Sequence, residues 1–431
     1  MDEYNPYDHR SIANPTTNLE TYIHLIKGCL GTGILAMPDA FKNAGLLMGT
    51  IGTILMGFIC TYGIHVLIRC QYILCQRMEI PLLTFPQAMK IALEQGPLCL
   101  RWLAPVASLL VDFFIVMYQF GICCVYIVFV SNSIKELSDH YWIKIDVRII
   151  MVVVTLPFIL ITFIKNLKVL SPVSTLANVI TFLGLGFIIY YIFWPDLPKI
   201  NSVPLFGNPK NLALFFGTIL FSLEAIGMVV ALENNMETPE AFLGYFGVLN
   251  QGMGTVTFLY LLFGFIGYIK YGSAIKGSIS LNLPHNDYLA QGVIIAFAIA
   301  IFLSFSLQYY VMFEIVWNTW IKHLFDDSKH TLYNYITRII FVILALLAGL
   351  AVPLLGLFIS LFGALCLPIL GFSFPGLLEF AVMWSEEGNH ILTLIKDIAL
   401  IIFGVLSTVA AVTITSIEIY AEMNQPVPAT S

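Results

Sequence analysis

The stretch 24-HLIKGCLGTGILAMPDAF-41 decides the fold: an apolar run with Gly28, Gly31, Thr32 and Gly33 near its centre and Pro38 five residues beyond Gly33. Glycine carries a large entropic cost in a helix, and proline removes a helical hydrogen bond, so this span is weakest near its middle. A second stretch, 222-SLEAIG-227, repeats the pattern, with Ser222, Glu224, Ala225, Ile226 and Gly227 interrupting another apolar run. Backbone groups freed inside lipid are tolerated only where protein or a polar cavity satisfies them. Two such interruptions point to a site between two broken helices.

Moving outward, 59% of the 431 residues are hydrophobic and 11% are charged, where a soluble chain carries roughly 25% charged residues. Most of this surface must meet lipid. A bilayer core about 30 Å thick needs roughly 20 apolar residues per helix. That template gives eleven expected spans near 20–41, 45–69, 104–131, 147–164, 173–195, 212–233, 246–269, 288–318, 336–352, 355–382 and 392–419. With a cytosolic N-terminus, twelve of the 20 lysines and arginines fall inside, which favours that orientation. Residues 1–18 then form a polar cytosolic tail carrying Asp2 and Glu3, 19–420 the transmembrane domain, and 421–431 an exoplasmic or lumenal tail. The tail has no apolar core of a cleavable signal, so the first span acts as the targeting signal. Residues 85–95 place Phe85, Ala88, Met89 and Ala92 at helical spacing before Gly96 and Pro97, the pattern of an amphipathic helix lying under the bundle.

Five spans separate the starts of the two interrupted elements. Five is odd, so the second block enters the membrane from the opposite side, giving inverted repeats of about 20–195 and 212–382 with one extra helix at 392–419. Secondary transporters place a midplane site between two such helices. A half-helix starting near Ile34 offers unpaired N–H groups to a carboxylate, and carbonyls near Leu30 and Gly31 suit an ammonium group. The expected substrate-binding residues are Gly31, Thr32, Gly33, Ile34, Ser222, Glu224, Ala225 and Gly227. Small-residue patterns also occur wherever membrane helices simply pack closely.

The segments 23–46 (IHLIKGCLGTGILAMPDAFKNAGL), 166–178 (NLKVLSPVSTLAN) and 215–234 (FFGTILFSLEAIGMVVALEN), with 121–132 and 307–317, resemble the proton-coupled amino acid transporters of the amino acid/auxin permease superfamily. The likeness runs almost end to end. It implies eleven spans, a LeuT-type 5+5 inverted-repeat core, and symport of protons with alanine, glycine, proline or similar neutral amino acids. It also implies the plasma membrane or a lysosomal or late endosomal membrane, and for some members partners in nutrient signalling. This chain departs from the family at Ala225, often glycine, and at Ala231 and Met312, often proline.

The main ionisable residues inside the apolar runs are His24, Lys27, Asp39, His65, Asp112, Glu224, Glu233, Glu314 and Glu379. Each is costly in lipid and is a functional candidate by default. His24 shares a helical face with Lys27, Gly28 and Gly31, about 10 Å along the axis from the break. Imidazole titrates near the pH of a proton-fed compartment, and the resemblance aligns His24 with the family's proton-coupling histidine. The alternative places His24 at the inner headgroup level. Glu224, desolvated at the second interruption, is the other expected proton carrier; the alternative is a lasting hydrogen bond to unwound backbone. Protons are the coupling ion, with no cofactor and no metal expected.

Several classes are disfavoured. The net charge of -6 is thinly spread and contains no basic block, so nucleic acid has no footprint. No HExxH or GxSxG motif occurs in the spans, which argues against a membrane enzyme, and no repeated filter loop suggests a channel. An amino acid sensor with little flux shares every site feature and stands as the second reading.

Overall fold

The computed structural model describes residues 4–10, 12, 15–141, 144–164, 167–194, 203–223, 226–326, 329–384 and 391–424. Described secondary structure is helical apart from one bridge between Thr16 and Met236. The α-helices are α1 (Asn18–Cys29), α2 (Thr32–Ala44), α3 (Leu46–Met78), α4 (Phe85–Gln95), α5 (Ala104–His140), α6 (Val147–Thr162), α7 (Leu167–Phe193) and α8 (Leu212–Leu223). They continue as α9 (Ile226–Asn234), α10 (Val248–Tyr271), α11 (Tyr288–Ile315), α12 (His330–Ala351), α13 (Leu355–Pro368), α14 (Phe374–Trp384) and α15 (Ile391–Met423). Wider π-turns extend α11 over Val316–Ile321 and join α13 to α14 over Ile369–Ser373, directly after Pro368.

Among the described residues, nine helical stretches are long and apolar enough to cross a membrane. The first expected span is not among them, because it is divided into α1 of 12 residues and α2 of 13. The fourth, α6, has 16 residues and is apolar but short. α3 runs on to Met78, past the expected end at 69, because no glycine or proline intervenes before Glu79 turns left-handed (φ 53°) ahead of Pro81.

The short elements follow local chemistry. Thr17 caps α1: its Oγ accepts the Glu20 amide at 3.3 Å while the Glu20 carboxylate accepts the Thr17 amide at 2.8 Å. α4 buries Phe85, Ala88, Met89, Ala92 and Leu93 against the bundle and ends at Gly96, matching the amphipathic pattern in the sequence. The N-terminal segment is docked on the same face. Arg10 grips Glu233 at the end of α9 through two parallel contacts of 3.0 and 3.2 Å, and Thr16 exchanges backbone hydrogen bonds with Asn235 and Glu237.

Candidate substrate site

The first interruption is a real break. α1 stops at Cys29, and α2 begins at Thr32 with Gly31 as an N-cap that offers no side-chain acceptor. Among the described residues the first amides of α2 therefore have neither an intrahelical nor a side-chain partner, and the dipole of α2 points its positive end at the gap. On the other side, the Cys29 carbonyl accepts the Gly31 amide at 3.0 Å.

A cavity of about 300 Å³ opens at this break, lined by Gly28, Cys29, Gly31, Thr32 and Gly33 from the broken span, Tyr118, Ile122 and Tyr126 from α5, Phe221 and Ser222 from α8, and Gln308 from α11. The Gln308 side chain stands beside the Tyr126 hydroxyl. Backbone ends, two phenols, two hydroxyls and one amide make this a small polar chamber inside an apolar bundle.

The glycines have different tasks. A Cβ on Gly31 would stand 3.5 Å from the Tyr126 hydroxyl, an ordinary contact, so this position borders open space. A Cβ on Gly33 would meet the Ser222 Cα at 2.7 Å, so here α2 packs directly on α8. At Gly28 a Cβ would strike the Met228 methyl, which places the Met228 thioether of α9 over the cavity's edge.

Two tyrosines fasten this arrangement. The buried Tyr260 hydroxyl of α10 faces the carbonyl oxygens of both Cys29 and Ser222, donating to the latter at 2.8 Å. Tyr118 donates to the Phe221 carbonyl at 3.2 Å. Side-chain donors thus stand at the last carbonyls of both α1 and α8, where a helix end leaves acceptors without intrahelical partners.

Of the expected site residues, Gly31, Thr32, Gly33 and Ser222 line the cavity. Ile34 is fully buried in the core, and Gly227 sits exposed on α9. Glu224 and Ala225, between α8 and α9, lie outside the described residues, and the expected second break falls on them. His24 is exposed on α1 between Glu20 and Lys27; it does not line the cavity, but it shares an exposed stripe with Gly28, one turn nearer. The sequence reading did not single out Tyr118, Tyr126, Tyr260 or Gln308. Their signal was polar groups in the middle of apolar spans, two of them within the segments 121–132 and 307–317.

Comparison with known proteins agrees with this architecture. Residues 14–417 match the family model for transmembrane amino acid transporter protein. The chain is 41% identical over 409 residues to the "Proton-coupled amino acid transporter-like protein pathetic" of Drosophila melanogaster, covering 94% of this chain and 85% of that protein. It is 26% identical over 421 residues to "Amino acid transporter ANT1" of Arabidopsis thaliana, covering 92% and 93% respectively. In fold it is similar to the inward-facing conformation of Mhp1, with a TM-score of 0.55 at 10% identity over 97% of this chain and 92% of that one. It is also similar to the Eremococcus coleocola manganese transporter, with a TM-score of 0.51 at 15% identity over 99% and 93%. The chain belongs to the transmembrane amino acid transporter family, an all-helical membrane transporter and not an enzyme.

Proposed function

We propose that this protein is a secondary active transporter that carries small neutral L-amino acids such as alanine, glycine and proline together with protons, by alternating access across inverted repeats of about 20–195 and 212–382. The observation that carries this reading is the cavity at the α1–α2 break. Its first α2 amides suit a carboxylate, and its α1 carbonyls with the Tyr126 and Gln308 polar groups suit an ammonium. The lining of glycines, Thr32 and Ser222 closed off by Tyr118, Tyr126 and Phe221 leaves little room, which favours small side chains.

Proton coupling is supported by the name of the Drosophila relative and by the ionisable His24 on α1. His24, on the exposed stripe leading to Gly28, relays protons to the cavity, and Glu224 exchanges one beside the substrate. Protons are the coupling ion and no cofactor takes part. The protein works in the plasma membrane or a lysosomal or late endosomal membrane with its N-terminus in the cytosol. The test is uptake of labelled alanine, glycine and proline into proteoliposomes under separately imposed pH and sodium gradients. A pure sensor binds without accumulating substrate, so the same assay separates the two readings.

A further inference from the structure

Away from the cavity, α14 and α15 bring two carboxylates to one ammonium. Lys396 Nζ lies 2.5 Å from Glu379 Oε2, 2.6 Å from the Tyr62 hydroxyl of α3 and 3.0 Å from Asp397 Oδ1. The Asp397 residue is 0% exposed and the Glu379 side chain 6%. Among the described residues neither Asp397 carboxylate oxygen has an aligned hydrogen-bond donor; Lys396, which donates to Glu379 and Tyr62, offers Asp397 Oδ1 its charge at 3.0 Å.

Among the described residues the surroundings do not restore balance. From α3 the cluster also faces the buried Cys70 thiol, which feels both carboxylates, while Arg69 beside it is exposed and Arg77 spends a donor on the Val382 carbonyl at 3.0 Å. On α4, also packed against α14, Lys90 pairs with Glu94 at 3.9 Å. Glu386, Glu387 and His390, in the connection between α14 and α15, lie outside the described residues. Two ionised carboxylates on one ammonium would leave a net negative charge buried between helices, which costs several kcal/mol, on the order of that for an unpaired ion. A proton on one of the acids removes it, and a carboxylic O–H also supplies the donor that the Asp397 oxygens lack.

We propose that Glu379 and Asp397 form a proton-binding site, sharing one exchangeable proton beside Lys396. The site lies on the face that carries the N-terminal segment, because Arg77 of α3 binds α14 there while Tyr72 and Pro81 meet Asn5 and Arg10. It is separate from the helix-break cavity and stands whether or not His24 and Glu224 couple transport. Losing the proton places unbalanced charge at the seam of α3, α14 and α15, so the acidity of that compartment sets how tightly α15 holds the bundle.

Infrared spectra of the purified full-length protein in sodium-free buffer test this. The wild type should show a protonated-carboxyl band at neutral pH that fades on alkalinisation. Asp397→Asn and Glu379→Gln should each lose one carboxyl equivalent of that band, because either change leaves one carboxylate for one ammonium. Lys396→Met should gain one equivalent, since a second proton replaces the missing charge. A band equal to wild type in all three variants overturns the site, and loss in only one of the two acid variants overturns the sharing. Replacement of the band on adding sodium chloride makes it a cation site and overturns the proposal as well.

Discussion

Gly33, at the start of α2, stands directly against Ser222 near the end of α8: a Cβ on Gly33 would lie 2.7 Å from the Ser222 Cα and 2.8 Å from its Oγ. Gly33→Ala therefore has to push two helices apart, a cost of about 1–3 kcal/mol for overpacking. The expected outcome is a lower thermal unfolding midpoint in detergent. An unchanged midpoint would contradict the close packing of α2 on α8.

Gly31 borders the cavity with 3.5 Å to the Tyr126 hydroxyl, so Gly31→Ala should fold like wild type. Gly31→Leu should insert normally yet take up no alanine, because its branched side chain would project into the small cavity that must hold the substrate. Normal uptake by correctly targeted Gly31→Leu protein would remove the first span from the site.

Tyr260→Phe keeps the ring and deletes the hydroxyl that faces the Cys29 and Ser222 carbonyls. A buried acceptor left unsatisfied costs about 1–3 kcal/mol. The variant should unfold earlier and transport more slowly, since the ends of α1 and α8 lose their common donor. Wild-type values in both assays would show that the hydroxyl does not hold the break.

Arg10 and Glu233 form a nearly buried pair, with side chains 7% and 4% exposed. Removing one partner of a buried pair leaves an uncompensated charge and costs about 3–5 kcal/mol. Arg10→Ala should therefore expose the N-terminal segment to limited proteolysis and lower stability. Adding Glu233→Gln should recover much of the stability without redocking the segment. Protease resistance equal to wild type in Arg10→Ala would contradict the latch.

The break at Gly31 could be read from the sequence because backbone propensity is local: Gly28, Gly31 and Gly33 weaken a helix wherever they sit. The amphipathic helix 85–95 was legible for the same reason, through spacing and a terminal Gly-Pro. What stayed hidden was tertiary. Tyr118 and Tyr260 look like ordinary aromatic residues of apolar spans, and only the packing of α5 and α10 on the break turns their hydroxyls toward helix-end carbonyls. In the same way, nothing in the local sequence distinguishes Gly33, which packs on Ser222, from Gly31, which borders the cavity. Glu379 stands out in the sequence as an ionisable residue in an apolar run, but its pairing with Lys396 and the second carboxylate at Asp397 depend on how α15 is rotated.

The central claim is that the chamber at the α1–α2 break moves amino acids with protons, and a carrier coupled to protons needs a group that gains and loses charge as the site alternates. The most direct measurement is accumulation of labelled alanine in proteoliposomes containing wild type, His24→Ala or Glu224→Gln, with a pH gradient and no sodium. The account predicts that acidifying the side of entry drives uphill uptake by wild type, that His24→Ala loses this stimulation, and that Glu224→Gln exchanges alanine without accumulating it. Full pH-driven accumulation by both variants would contradict the assignment of the proton path, and a wild type that accumulates alanine only on a sodium gradient would contradict proton coupling itself.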